Sequence, residues 1–157
     1  MLKFRKDLIE GQKGERVIAK YLEQNNGLTD IQFNDDIKYD IKGIKDGKEL
    51  TFEVKTDRYE HFKGYKTFNM FIEQSCGNKP SGINATEAQY FIYYYPDFEL
   101  FYFIKTEDLR KLIQDTDLPI KAQSGDNGKV VGVVIHRNLY KKYFTIKRLP
   151  KDNSIWG

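Results

Sequence analysis

Cysteine is nearly missing from this chain: Cys76 stands alone, so no internal disulfide can form. A reducing compartment, the cytoplasm, is therefore the expected setting. Two histidines and that one cysteine are too few for the usual ligand sets of a structural zinc site, so a metal bound here should be held by oxygen. No apolar run approaches the ~20 residues of a membrane span, and the start, Met1 to Asp7, lacks the apolar core of a signal peptide. Charge of neither sign dominates. The net charge of +3 does not by itself imply a nucleic-acid partner, and the distribution of charge matters more than its sum. There is no internal repeat, no P-loop, no dinucleotide glycine fingerprint and no Gly-x-Ser-x-Gly elbow.

What is present is enough for a folded core. At 157 residues one domain, 1–157, is expected, and an aromatic content of 15% is not that of a disordered chain. The most informative stretch is IKYDIKGIKDGKELTFEVK, Ile37 to Lys55. Asp46-Gly47 favours positive φ and a two-residue type I′ turn. That turn pairs Lys45 with Lys48, Asp40 with Glu53 and Lys38 with Lys55. Alternation then puts Ile37, Tyr39, Ile41, Leu50, Phe52 and Val54 on a core face. The other face carries Lys38, Asp40, Lys42, Thr51, Glu53 and Lys55.

Directly opposed side chains have Cβ atoms about 5 Å apart, and like charges there repel. A divalent metal between Asp40 and Glu53 converts the repulsion into ligation, and Mg²⁺ is commonly held by one or two carboxylates with waters and phosphate oxygens. Lys55, two residues beyond Glu53, is placed to orient an attacking water or to stabilise charge in a phosphodiester transition state.

Upstream, Asp7 to Gln24 reads as a helix with the inward stripe Leu8, Gly11, Gln12, Glu15, Ile18, Ala19 and Leu22. Glu15 in that stripe needs a partner, either a metal or a salt bridge to Lys55 or Lys38. Gly11 and Gly14 weaken the helix but permit close approach of sheet backbone or phosphate. Asn25-Asn26-Gly27 ends it. Thr29 to Asn34 is a first strand, with Asp35-Asp36 turning into the hairpin.

Downstream, Asp57 to Lys66 (DRYEHFKGYK) is polar and aromatic. Arg58, Lys63 and Lys66 suit phosphates, and Tyr59, His61, Phe62 and Tyr65 suit stacking on bases; an ordinary solvated loop is the alternative. Thr67 to Gln74 is a strand with Glu73 near its end, either an extra ligand or a surface carboxylate. Ser75 to Gly82 reads as a loop, and Asn84 to Gln89 as a short helix with Glu87 in a capping box. Tyr90 to Tyr95 and Leu100 to Ile104 are strands joined at Pro96-Asp97. Their aromatics suit a sheet core better than a base-stacking platform. Thr106 starts a helix with Leu109, Leu112 and Ile113 on its apolar side. Lys121 to Lys129 is loop-like by composition, and Lys129 to His136 is strand-like. The basic stretch from Arg137 to Lys151 includes Lys141 and Lys142, suited to phosphate backbone or simply to a solvated surface, and Tyr143 to Leu149 is a closing strand.

The order of a helix with Gly14-Glu15, a strand with Asp40, and a hairpin partner with Glu53-Val54-Lys55 resembles the PD-(D/E)XK nuclease superfamily. Gly14-Glu15 looks like the first helix of its Holliday-junction-resolvase-like branch, and NMFIEQSCGNKPSGINATEAQYFIYY looks like small phage and bacterial members. An acid, any residue and lysine also occurs at Asp36, Asp40 and Asp46, but only Glu53 follows a strand and faces an upstream acid. Tyr39 stands where the superfamily name has proline.

The resemblance implies an α/β (α+β) restriction-endonuclease-like core in which helices flank a central mixed β-sheet, in the order α-β-β-β-α-β. It implies Mg²⁺ or Mn²⁺ and hydrolysis of DNA, with branched DNA among the candidate substrates. Glu15, Asp40, Glu53 and Lys55 would form the active site; Asp40, Glu53 and the Val54 carbonyl would hold the metal, joined by Glu15 and Glu73. DNA ranks above RNA, since no RNA-recognition signature is visible. A two-fold homodimer suits symmetric cutting of both strands. The contrasting expectation is a nuclease-fold protein that binds nucleic acid or a protein partner without cutting.

Overall fold

In the computed structural model of the chain, the described residues are 2–34, 36, 38–57, 69–125 and 128–149, with only the backbone described for 2–10. The fold is α+β, built on two sheets. Helix α1 (Leu2–Asn26) starts earlier than the sequence pattern suggests and ends where expected, at Gly27, whose φ of +71° continues the chain in the left-handed region. Its buried side carries Gly14, Ile18, Ala19 and Leu22, with Glu15 half-buried. Gln12, expected on that side, is exposed, and Leu8 lies where side chains are not described.

Strand β1 (Thr29–Phe33) leads to the hairpin β2 (Ile41–Lys45) and β3 (Lys48–Thr56). The hairpin has the register read from the sequence: Lys45 pairs with Lys48, Gly43 with Leu50 and Ile41 with Phe52. Asp46 and Gly47 both take positive φ, +52° and +76°, as a type I′ turn requires.

The ladder ends at Ile41 and Phe52, however, so the expected pairs of Asp40 with Glu53 and of Lys38 with Lys55 do not form. Asp40 donates its N–H to the Phe52 carbonyl at 2.9 Å, and the Lys38 carbonyl accepts from the Glu87 N–H at 2.7 Å. Lys38 is thus drawn to the stretch before the next core strand and does not face Lys55. Ile37 and Asp35 lie outside the described residues.

The larger sheet runs β1-β2-β3-β6-β7-β10, with β6 (Tyr90–Tyr95), β7 (Leu100–Lys105) and β10 (Thr145–Arg148). It is mixed: β3 and β6 are parallel, with Glu53 beside Phe91 and Lys55 beside Tyr93, and its other neighbours are antiparallel. The second sheet runs β5-β4-β9-β8, from β4 (Met70–Cys76), β5 (Lys79–Pro80), β8 (Ile120–Gly125) and β9 (Gly128–Ile135).

Three expectations are corrected here. Ser75 to Gly82 is largely a tight hairpin, since Gly77 and Asn78 take positive φ (+56° and +70°) and allow Lys79–Pro80 to pair back. Lys121 to Lys129 is not a loop where it is described: 121–125 and 128–129 belong to the antiparallel strands β8 and β9, and residues 126 and 127 lie outside the described residues; the polar residues of β8 lie on an edge strand, so composition reads as loop. In place of a helix from Asn84 to Gln89 there is one 3₁₀ turn, Gly82–Asn84, after which the chain extends. Asn84 does not cap; its side-chain amide donates to the Gln74 carbonyl at 3.1 Å.

The larger sheet is covered on both faces. On one side α1 packs Ile18 and Leu22 against Ile41, Phe52, Ile92, Tyr94 and Phe101. On the other, Phe91, Tyr93, Tyr95 and Tyr102 pack against Met70, Ile72, Val133 and Ile135 of the second sheet and against Leu109 and Leu112 of α2 (Thr106–Asp115). The aromatic run of β6 alternates between these cores and is at most 5% exposed from Phe91 to Tyr95, so it offers no platform for bases. After β9, the short helix α3 (Arg137–Tyr140) leads to β10. Among the described residues no helix is long and apolar enough to cross a membrane.

Candidate functional site

Asp40 sits at the mouth of the hairpin, one residue before β2. Its N–H donates to Phe52 and its carbonyl accepts from the Asn34 N–H at 3.0 Å, so the backbone is held on both sides. Its carboxylate turns across β3 and accepts the Val54 N–H at 2.8 Å. This places it against the half-buried Glu53, with which it shares a side-chain hydrogen bond. The expected ladder pair of Asp40 with Glu53 does not form; the bond from the Val54 N–H brings the Asp40 carboxylate to Glu53 instead.

Two acids this close cannot both ionise easily. Burial pushes the Glu53 carboxyl up from its ordinary 4.5 to about 9, and the hydrogen bond and charge of Asp40 add to the rise. The Thr86 hydroxyl bonds to Glu53 and opposes the rise, while the charge of Glu15 on α1 adds to it. At neutral pH the Asp40–Glu53 pair therefore retains a proton.

Glu15 reaches this neighbourhood because α1 lies close on β3. A Cβ added at Gly14 would overlap Thr56. Lys55 is exposed and follows Glu53 on the strand face turned toward the second sheet. A small cleft of about 120 Å³ opens there, lined by Glu53, Val54, Lys55, Phe71, Glu73, Gly82, Ile83 and Phe91. Glu73 thus shares a cleft with Glu53 and Lys55 across the seam between the sheets. Behind it the buried Tyr93 hydroxyl donates to Asp57 at 2.7 Å and accepts the Phe71 N–H at 3.2 Å, tying the end of β3 to the start of β4.

The structure thus brings Asp40 to Glu53, places Glu15 near enough for its charge to act on Glu53, and lines one cleft with Glu53, Lys55 and Glu73. It does not bring Lys141 and Lys142 to them. Those lysines are exposed just after α3, whose Arg137 lies over Tyr95, Phe98 and Tyr102 at the β6–β7 turn. Arg58, Tyr59, His61, Lys63 and Lys66 lie outside the described residues.

Sequence reasoning missed Thr86, which the parallel β3–β6 pairing brings to Glu53 with no local signal. It also missed Asp57, whose position two residues after Lys55 on the same strand face was a usable signal.

Among the described residues no group of three His, Cys, Asp or Glu side chains forms a ready-made metal cluster. The donor set is a carboxylate pair. It is compatible with a hard divalent ion that takes its remaining oxygens from water and phosphate. No protein-family model matches the chain, and no curated protein matches its sequence.

Proposed function

We propose that the protein is a Mg²⁺- or Mn²⁺-dependent endonuclease that hydrolyses DNA phosphodiester bonds. The observation that carries this reading is the contact between the Asp40 and Glu53 carboxyls, with Glu15 close by and Lys55 on the same strand face as Glu53. A protein selected only for stability gains little by burying two acids against each other. The resemblance of Glu15, Asp40, Glu53 and Lys55 to the PD-(D/E)XK pattern supports the same reading, as does the run α1-β1-β2-β3 at the head of the fold. The rest of the α-β-β-β-α-β order is part of the proposal.

Asp40, Glu53 and the Val54 carbonyl would hold the ion, with Glu15 and Glu73 as further oxygen donors. The ion supplies Lewis-acid polarisation of a phosphate oxygen and makes water easier to deprotonate. With the ion bound there, Glu53 would release its proton to solvent and face the ion as a carboxylate. Glu15 orients the attacking water from the α1 side. The Lys55 ammonium donates hydrogen bonds to that water and to the phosphate oxygens as charge builds on them.

The test is cleavage of four labelled DNAs: a four-way junction, a flap, a linear duplex and a single strand. Each is incubated with Mg²⁺, Mn²⁺ or EDTA, beside the Lys55→Ala protein. Cutting that needs the metal and disappears in the variant is expected. A folded Lys55→Ala protein that cuts at the wild-type rate would overturn the assignment. The absence of a three-ligand cluster among the described residues favours one other reading, a nuclease-fold module that binds without cutting. Retained DNA binding with no cutting and no Mn²⁺ uptake would support it.

A further inference from the structure

Asp40 and Glu53 come from one hairpin, but the hairpin does not hold them alone. Thr86 is 2% exposed, and its hydroxyl meets the Glu53 carboxyl. The same oxygen lies 3.1 Å from the Lys38 carbonyl and accepts the Ala88 N–H at 3.2 Å. The stretch before β6 is therefore tied both to the segment leading into Asp40 and to Glu53 itself.

That stretch is anchored from two further sides. The Arg110 guanidinium of α2 donates from Nε and Nη2 to the Ile83 carbonyl, at 3.1 and 2.9 Å, and from Nη2 to the Thr86 carbonyl at 2.7 Å. Toward β4, Gly82 (φ +52°) lies so close on the Glu73 carbonyl that a Cβ would overlap it. The Ser81 N–H and the Asn84 amide both donate to the Gln74 carbonyl.

A threonine hydroxyl has one proton to donate. With the Ala88 N–H on one lone pair, that proton has two acceptors, the Lys38 carbonyl and the Glu53 carboxyl. Both belong to the segments that present the acids. We propose that Thr86 is a positioning residue of the acid site, its hydroxyl holding the Lys38 carbonyl and so the segment that presents Asp40 to Glu53 for a divalent cation, and that Arg110 sets Thr86 by holding its backbone. This inference rests on the metal-dependent reading above. Outer hydrogen-bond partners of this kind typically change metal affinity by about 10–100-fold when removed.

The test is calorimetric titration of Mn²⁺ into the whole protein: wild type, Thr86→Val, Thr86→Ser, Arg110→Gln, and Lys111→Gln as an exposed control on α2. Melting temperatures in EDTA are measured alongside. Thr86→Val keeps the shape and loses the hydroxyl, and its Mn²⁺ affinity should fall by about tenfold or more. Thr86→Ser should restore it, Arg110→Gln should fall between, and Lys111→Gln should match wild type. A folded Thr86→Val protein with wild-type affinity overturns the inference and leaves the metal site standing. If Thr86→Val does not fold, Arg110→Gln decides, and wild-type affinity there overturns it equally. A wild-type protein that takes up no Mn²⁺ overturns the metal-dependent reading and this inference with it.

Discussion

Glu53 sits where its surroundings disfavour a charge, and the consequence depends on pH. Its folded carboxyl is pushed up to about 9 by burial and by Asp40, against an ordinary value of 4.5. Between those values the folded protein holds a proton that the unfolded chain has released. The stabilisation from this group is therefore complete below about pH 4.5 and is lost as pH rises toward 9. Glu53→Gln keeps the shape and removes the titration. In EDTA its melting temperature should fall less between pH 5.5 and pH 8.5 than that of wild type, while Mn²⁺ uptake should be lost. Parallel melting curves for the two proteins would show that Glu53 is not buried against Asp40 as described.

At the scale of elements, α1 and β3 meet through a glycine, and that contact brings Glu15 toward Glu53. Gly11 and Gly14 look equivalent in the sequence, three residues apart on one helix, but their surroundings differ. Among the described residues nothing lies within 4 Å of a Cβ at Gly11, whereas one at Gly14 would overlap Thr56. Gly11→Ala should stabilise the protein by up to about 1 kcal/mol through helix propensity. Gly14→Val should destabilise it by about 1–3 kcal/mol through overpacking, and should weaken Mn²⁺ binding as α1 is pushed off β3. Urea titrations of both variants check the pair, and equal effects would refute the close approach.

The same contrast explains what was legible beforehand. The β2–β3 hairpin could be read from Ile41 to Phe52 because a two-residue turn and strict alternation are local properties. Alternation also set Glu53 and Lys55 on one strand face, but Asp40 lies beyond the paired ladder and meets Glu53 through the bond it accepts from the Val54 N–H, which no local pattern announces. The second sheet could not be read, because β4 finds β9 across a long stretch of chain, and the edge strand β8 carries the polar composition of a loop. Thr86 was hidden for a related reason. Its neighbours in sequence suggest a helix cap, and only the parallel pairing of β3 with β6 brings it to Glu53.

Across the whole molecule, the surroundings of Glu53 draw on three layers: the charge of Glu15 on α1, Asp40 at the mouth of the hairpin in the larger sheet, and Glu73 of the second sheet lining the same cleft. The connection between layers is β6, the strand beside β3. Ile92 is 0% exposed in the core under α1, and the next residue, Tyr93, is 1% exposed in the core under the second sheet. A strand buried on both faces cannot loosen toward one layer without disturbing the other, because the interior is close-packed. Ile92→Ala should therefore cost about 2–5 kcal/mol, and the loss should not stay on its own side. Hydrogen exchange should speed up in β9 as well as in α1, although Ile92 belongs to the core cluster on the α1 side. Faster exchange in α1 with β9 unchanged would mean that the layers open separately. In that case Glu15 could leave the site while Glu73 and Thr86 stayed, and metal affinity would follow the state of α1 alone.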